Sequence, residues 1–150
     1  QKQSAKRIYN LMESQFRNYF KKAFNQSGDT GENLLKLLEL RLDNIIYRLG
    51  LVSSRRLARQ AVGHGLLFVN DKKLNIRPYI FRINDGISVN PKYKDSKIFT
   101  DLSKKLAKAN LPQWLAVNPD KLSGTLISIP AKEELNPIFD VKMIVEFYSR

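Results

Sequence analysis

Arg41-Leu42-Asp43-Asn44-Ile45-Ile46-Tyr47-Arg48-Leu49-Gly50 and Ser54-Arg55-Arg56-Leu57-Ala58-Arg59-Gln60-Ala61-Val62-Gly63-His64-Gly65-Leu66-Leu67-Phe68-Val69-Asn70 decide the fold. In the first stretch Leu42, Ile45, Ile46 and Leu49 fall at i, i+3, i+4 and i+7, the spacing of one apolar helix face. Gly50 is the stop, since a helix ends readily on a left-handed residue that only glycine adopts without cost. Ser53 or Ser54 then caps a second helix running to about Val62, and Gly63-His64-Gly65 ends it. Leu66–Val69 reads as a strand, Asn70-Asp71 as a tight hairpin turn, and residues 73–76 as the returning strand.

The second helix has two unlike faces. At about 100° per residue, Leu57, Ala58, Ala61 and Val62 share one arc, and Arg55, Arg56, Arg59, Gln60 and Gly63 share the other. A solvated charged face is the ordinary meaning of such a run. Solvated faces, however, mix signs so that i,i+4 pairs form, and this face has no acid to pair its arginines. Arginine also offers a planar fork that binds phosphate bidentately and stacks on bases. Arg41 and Arg48, seven apart, are expected on one side of the preceding helix. Asn70 and Lys72 flank the hairpin turn, and Arg77 and Arg82 follow. Together they predict a basic ridge suited to RNA phosphate geometry. His64, between two glycines at a helix end, is either a polar terminator or a phosphate or base contact; it has no partners for a metal. Tyr47, Phe68 and Phe81 suit core positions at least as well as a stacking platform.

Outward from this centre the pattern stays mixed helix and strand. Residues 4–25 read as one amphipathic helix, with Ile8, Leu11, Met12, Phe16, Tyr19, Phe20 and Phe24 on its stripe. Lys6, Arg7, Arg17, Lys21 and Lys22 lie mostly off that stripe and form a second basic ridge. Asp29 or Thr30 caps a following helix whose crowded Leu34, Leu35, Leu37, Leu38 and Leu40 demand burial. Tyr79–Ile83 and Gly86–Val89 are expected strands around an Asn84-Asp85 turn. A helix over 96–109, a Trp114-Leu115 anchor and a strand near 126–129 come next. Val141–Tyr148 reads as a helix, although its period alone admits a strand.

The 150 residues carry 26 Lys and Arg against 14 Asp and Glu, a net charge of +12. Half of that excess lies in residues 41–90, which hold nine basic and three acidic side chains. Such charge is best tolerated beside a polyanion, nucleic acid first and an anionic membrane second. The membrane reading is the weaker, because the apolar arc opposite the arginines is needed by the core. No apolar run approaches the roughly 18 residues that span a bilayer. The basic start has no apolar stretch behind it to make a signal peptide, and without an initiator Met it leaves room for a preceding piece. With no cysteine there is no disulfide scaffold, thiolate zinc site or cysteine nucleophile. One histidine, the adjacent Glu133-Glu134 pair and no Gly-rich phosphate loop leave nothing to suggest an enzyme or a cofactor.

The quoted stretches, with Ser54-Arg55-Arg56-x-Ala58-Arg59-Gln60-x-Val62-x-His64-Gly65 at their centre, resemble the bacterial small-subunit ribosomal protein S-four family. Gln15-Phe16-Arg17-Asn18-Tyr19 and Thr30-Gly31-Glu32-Asn33-Leu34-Leu35 resemble its upstream helical part. Trp114-Leu115, Gly124-Thr125 and Ile144-Val145-Glu146-Phe147-Tyr148-Ser149-Arg150 resemble its C-terminal part, so the likeness spans essentially the whole chain. It implies an α+β protein: a mostly helical lobe, residues 1–40 and 104–150, wrapped around an RNA-binding module of helices and a short antiparallel sheet, residues 41–103. It implies a structural ribosomal protein, no enzyme, that binds small-subunit rRNA at a multi-helix junction of the 5′ domain early in assembly. It further implies contact with ribosomal protein S-five, an interface tied to decoding accuracy, and basic residues near mRNA where it enters the subunit. The RNA-facing positions carry over onto Arg55, Arg56, Arg59, Gln60, His64, Asn70 and Lys72. The setting implied is a bacterial-type cytoplasmic ribosome, an organellar ribosome being the other compatible one.

The likeness has three departures. The family's N-terminal segment, sometimes a cysteine zinc site, has no counterpart here, so no metal carries over. Asn70-Asp71 stands where Asn-Gly is common, and residues 90–94 match poorly. A free RNA-binding factor, such as a heat-shock or ribosome-recycling protein, would not need the helical lobe. A pseudouridine synthase would need a catalytic domain for which 150 residues leave no room.

Overall fold

Gly50 and Ser54 punctuate the chain as their chemistry requires: Gly50 takes φ 85° at the end of one helix, and the Ser54 hydroxyl accepts the Leu57 N–H at the start of the next. A computed structural model describes residues 2–9, 11–73, 79–135 and 140–149. Among them are the helices α1 (Lys2–Tyr9), α2 (Glu13–Asn25), α3 (Thr30–Glu39), α4 (Leu42–Leu49), α5 (Arg55–Gly63), α6 (Leu102–Ala107) and α7 (Val141–Tyr148). The strands are β1 (Leu67–Val69), β2 (Lys72–Lys73), β3 (Gly86–Val89), β4 (Leu115–Asn118) and β5 (Ser123–Leu126). The α+β class is as expected. The chain divides into two units, Gln1–Glu39 with Pro130–Arg150, and Leu40–Ile129.

In the first unit the single helix expected over residues 4–25 is two. The Leu11 N–H donates to the Lys6 carbonyl at 2.9 Å, a wider turn than the α-helical one, and Gln15 accepts the Met12 N–H at the start of α2. The break turns Leu11 into the core and leaves Met12 71% exposed. On α2, Phe16, Tyr19, Phe20 and Ala23 are buried, but Phe24, on the same expected stripe, stands in solvent. Asp29 accepts the Glu32 N–H and is the cap of α3. The leucines of α3 are buried as their density demands. The C-terminal segment is the helix α7, capped by Asp140, which accepts N–H groups from Lys142 and Met143. Tyr148 stacks on Phe16 and Phe20, and its hydroxyl donates to Glu13 at 3.0 Å. Burial first, then that hydrogen bond and the Glu13 charge, push the Tyr148 pKa well above the ordinary phenol value.

In the second unit all strand pairs are antiparallel and the sheet order is β2-β1-β3-β5-β4. Asn70 and Asp71 join β1 to β2 with φ of 52° and 65°, the two positive values of a type I′ turn. Residues 74–76 of the expected returning strand, and Arg77, lie outside the described residues. Tyr79–Ile83 is not a strand of the sheet. Its backbone pairs instead with residues 40–42: Leu42 donates to the Tyr79 carbonyl, and Phe81 to that of Leu40, both at 2.8 Å. The helix expected over 96–109 shortens to a 3₁₀ turn, Lys97–Phe99, and α6. Asp101, with φ 55°, breaks it, and Phe99 and Leu102 both reach the core.

The expected strand at 126–129 is shifted. β5 ends at Leu126, while Ile127 and Ile129 are exposed, and β4, which has no clear signature in the sequence, pairs along it. Residues 104–129, expected with the helical lobe, therefore complete the sheet of the second unit. Gly124 marks how closely they pack on α4. A Cβ at Gly124 would lie 2.6 Å from both methyls of Leu49, a fully buried α4 side chain. Gly124→Ala is therefore expected to lower the unfolding free energy by about 1–3 kcal/mol through overpacking. Urea denaturation followed by fluorescence of the sole tryptophan, Trp114, measures it, because Trp114 is buried in the same core. An unchanged midpoint would mean that Leu49 yields freely.

Candidate nucleic-acid interface

The α5 helix buries Ala58, Ala61 and Val62 and exposes Arg56, Gln60, Gly63 and His64, as its two-faced pattern requires. Arg55 and Arg59 are half-buried, and α4 supplies partners to both. Arg55 Nε donates to Asn44 Oδ1 at 2.8 Å, while its guanidinium lies 4.5 Å from the centroid of the Tyr47 ring. Arg59 Nε stands 3.5 Å from Asp43 Oδ2, an ion-pair distance. The expected absence of a pairing acid is corrected here, because the acid sits one helix earlier. Its signature is Asp43-Asn44-x-x-Tyr47, three side chains that α4 turns toward α5.

Arg41 is the clearest departure from the expected ridge. It is 1% exposed, and its guanidinium binds Asp43 through two bonds, Nε to Oδ1 at 3.0 Å and Nη2 to Oδ2 at 3.1 Å. It precedes α4 as an extended residue bridged to Ile80, so seven-residue spacing no longer places it beside Arg48. Arg48 is exposed, with its guanidinium 5.9 Å from the Tyr47 ring centroid. Phe81 is buried, and Tyr47 and Phe68 are half-buried.

At the hairpin, Lys72, Lys73 and Arg82 are exposed. The Asn70 side chain is occupied structurally: its amide donates to Asp85 at 2.9 Å and its oxygen accepts the Gly86 N–H at 2.8 Å. Asp85 also accepts from the Tyr79 hydroxyl and the Arg82 N–H. Burial alone would raise the Asp85 pKa, but these donors, Asn70 foremost, outweigh it and hold the carboxyl below its ordinary value. The turn is thereby fastened to β3. His64 ends α5, its N–H donating to the Gln60 carbonyl.

The second ridge, on the first unit, is partly spent internally. Lys6 is half-buried with its ammonium 2.8 Å from Glu13, and Arg17 lies 3.6 Å from the same carboxylate. Arg7, Lys21 and Lys22 are exposed. Among the described residues no three His, Cys, Asp or Glu side chains converge to hold a metal, and no helix is long and apolar enough to cross a membrane.

The sequence that carries this geometry matches known families. Residues 40–87 match the S4 domain family, and residues 1–39 match the family described as Ribosomal protein S4/S9 N-terminal domain. Small ribosomal subunit protein uS4 of Syntrophomonas wolfei is 45% identical over all 150 residues, which cover 72% of its length. Small ribosomal subunit protein uS4A of Alkaliphilus oremlandii is 49% identical over the same span, again 72% of its length. The chain belongs to the uS4 family. As a uS4 protein it is a structural ribosomal component that binds rRNA through its S4 domain, and it is not an enzyme. The S4 domain match begins at Leu40 and takes in α4, α5, the β1–β2 hairpin and the first half of β3. Every member of the Asp43, Asn44, Tyr47, Arg55 and Arg59 cluster falls inside it.

Proposed function

We propose that this uS4 protein binds small-subunit rRNA of a cytoplasmic, bacterial-type ribosome through the face formed by α4, α5 and the β1–β2 hairpin. Arg48, Arg55, Arg56, Arg59, Gln60, His64 and Lys72 meet phosphates and bases there, and Asn70 fixes the hairpin tip. Arg41 serves that face from within. The RNA-binding module proper is residues 41–103, and residues 104–129 complete the sheet behind it. Arg7, Arg17, Lys21 and Lys22 form a lesser contact. The observation that carries this reading is the fixing of Arg55 and Arg59 by Asn44, Tyr47 and Asp43. An arginine already held in place loses less rotamer freedom when it grips a phosphate.

The finer assignments follow from the family resemblance. The rRNA site is a multi-helix junction of the 5′ domain, where binding nucleates subunit assembly. A further surface meets ribosomal protein S-five and supports decoding accuracy, and basic residues lie near mRNA where it enters the subunit.

Salt dependence tests the central claim. With about six side chains neutralising phosphates, log K against log salt is expected to fall with a slope of roughly −5, taking the duplex coefficient of about −0.9 per contact. Titration of a 5′-domain rRNA transcript at several salt concentrations measures it. A slope near zero would remove the phosphate-binding face.

A further inference from the structure

We infer that Asp43 is a positioning residue for rRNA binding, a buried carboxylate that sets Arg59 in place while Arg41 supplies the second positive charge that leaves the cluster net positive toward RNA. The inference rests on the proposed role of the α5 face and deepens it. Asp43 is 1% exposed. Its Oδ1 accepts from Arg41 Nε and from the Asn44 N–H at 2.8 Å, and its Oδ2 accepts from Arg41 Nη2 and faces Arg59 Nε. The carboxylate is thus held on both oxygens before Arg59 reaches it.

The charges explain why there are two arginines. A carboxylate that fixed Arg59 alone would cancel its charge, and an approaching phosphate would meet a neutral pair. With two guanidinium groups on one carboxylate, the cluster keeps one net positive charge. The Arg41 side chain is 1% exposed and that of Arg59 is 19% exposed, so Arg59 is the member open to solvent. A structural ion pair at the start of α4 would be complete with Arg41 alone. The third member is what ties the pair to the face of α5.

The sign of one substitution separates positioning from plain electrostatics. Asp43→Asn removes a negative charge beside the basic face, and on charge alone it would tighten binding to RNA. If Asp43 positions Arg59, Asp43→Asn is instead expected to weaken binding to a 5′-domain rRNA transcript about tenfold, the loss of one charge-assisted contact. In an Arg59→Ala background the same substitution is expected to change affinity by less than about twofold, because the group it acts through is gone. A purely structural Asp43 would weaken binding in both backgrounds. That result, or unchanged or tighter binding with Arg59 present, overturns the inference. Arg59→Lys is the second variant, since it leaves the buried Arg41–Asp43 pair intact. It keeps the charge but loses the planar fork, so it is expected to bind nearly as weakly as Arg59→Ala; wild-type affinity overturns the inference. If Arg59→Ala itself leaves affinity unchanged, the rRNA face has been misassigned at Arg59, and the inference falls with it.

Discussion

Arg41→Ala is expected to lower the unfolding free energy by about 3 kcal/mol or more, the cost of leaving a buried carboxylate without its main partner. The Asp43 side chain is 2% exposed, and both bonds from Arg41 would vanish together. Arg59 cannot replace them, since it reaches Asp43 only at 3.5 Å and from the edge of the core. Urea denaturation followed through Trp114 fluorescence reads the loss in the unit where it occurs. The double variant Arg41→Met with Asp43→Leu is the informative control. It exchanges the pair for apolar groups of similar size, a change that commonly costs little stability. Stability is expected to return largely to the wild-type level, whereas rRNA affinity is not, because Arg59 has lost its support. A small effect of Arg41→Ala would mean that water reaches Asp43 and that the pair is not sealed.

Arg55→Ala combined with Arg59→Ala is expected to weaken binding to a 5′-domain rRNA transcript by about a hundredfold or more, two charge-assisted contacts at roughly tenfold each. Their removal orphans no buried charge, because Asp43 keeps Arg41 and Asn44 is neutral. Ion pairs at the edge of solvent add little to stability, so the unfolding free energy is expected to fall by no more than about 1 kcal/mol. Affinity and stability measured on the same preparations separate the two effects. A loss of folding matching the loss of binding would make these arginines structural and move the rRNA contact elsewhere. Arg56→Ala, at an exposed position of the same face, is the natural companion, since it leaves the α4 cluster untouched.

The helices that carry the site were legible because their signals are local. The i, i+3, i+4, i+7 apolar spacing of α4, Gly50 at its end, the Ser54 cap and the split faces of α5 all act within a few residues. The same holds for the Asn70-Asp71 turn and for the leucines of α3. Elements whose existence depends on distant partners carry no such local signal. Tyr79–Ile83 has the composition of a strand, yet it pairs with residues 40–42 and lies outside the sheet. β4 and the position of β5 depend on pairing with each other and with β3, and on the close approach of Leu49 to Gly124, which no window of sequence displays. The break before α2 rests on a wide turn and a Gln15 side-chain bond that leave the apolar spacing of residues 4–25 almost undisturbed.

The basic face shows the same division. Its residue types, and the likeness of the whole chain to the uS4 family, were determined by the sequence alone, because charge composition and helical periodicity require no partner to be recognised. Which arginines face outward was decided by the tertiary structure. Arg41 and Arg59 are the same residue type, 18 positions apart, and both reach one carboxylate, yet one is sealed in the core and the other stands at its edge. The difference is where each side chain starts: Arg41 immediately precedes α4 and is buried with Asp43, whereas Arg59 comes to the same carboxylate from α5 and stays at the edge of solvent.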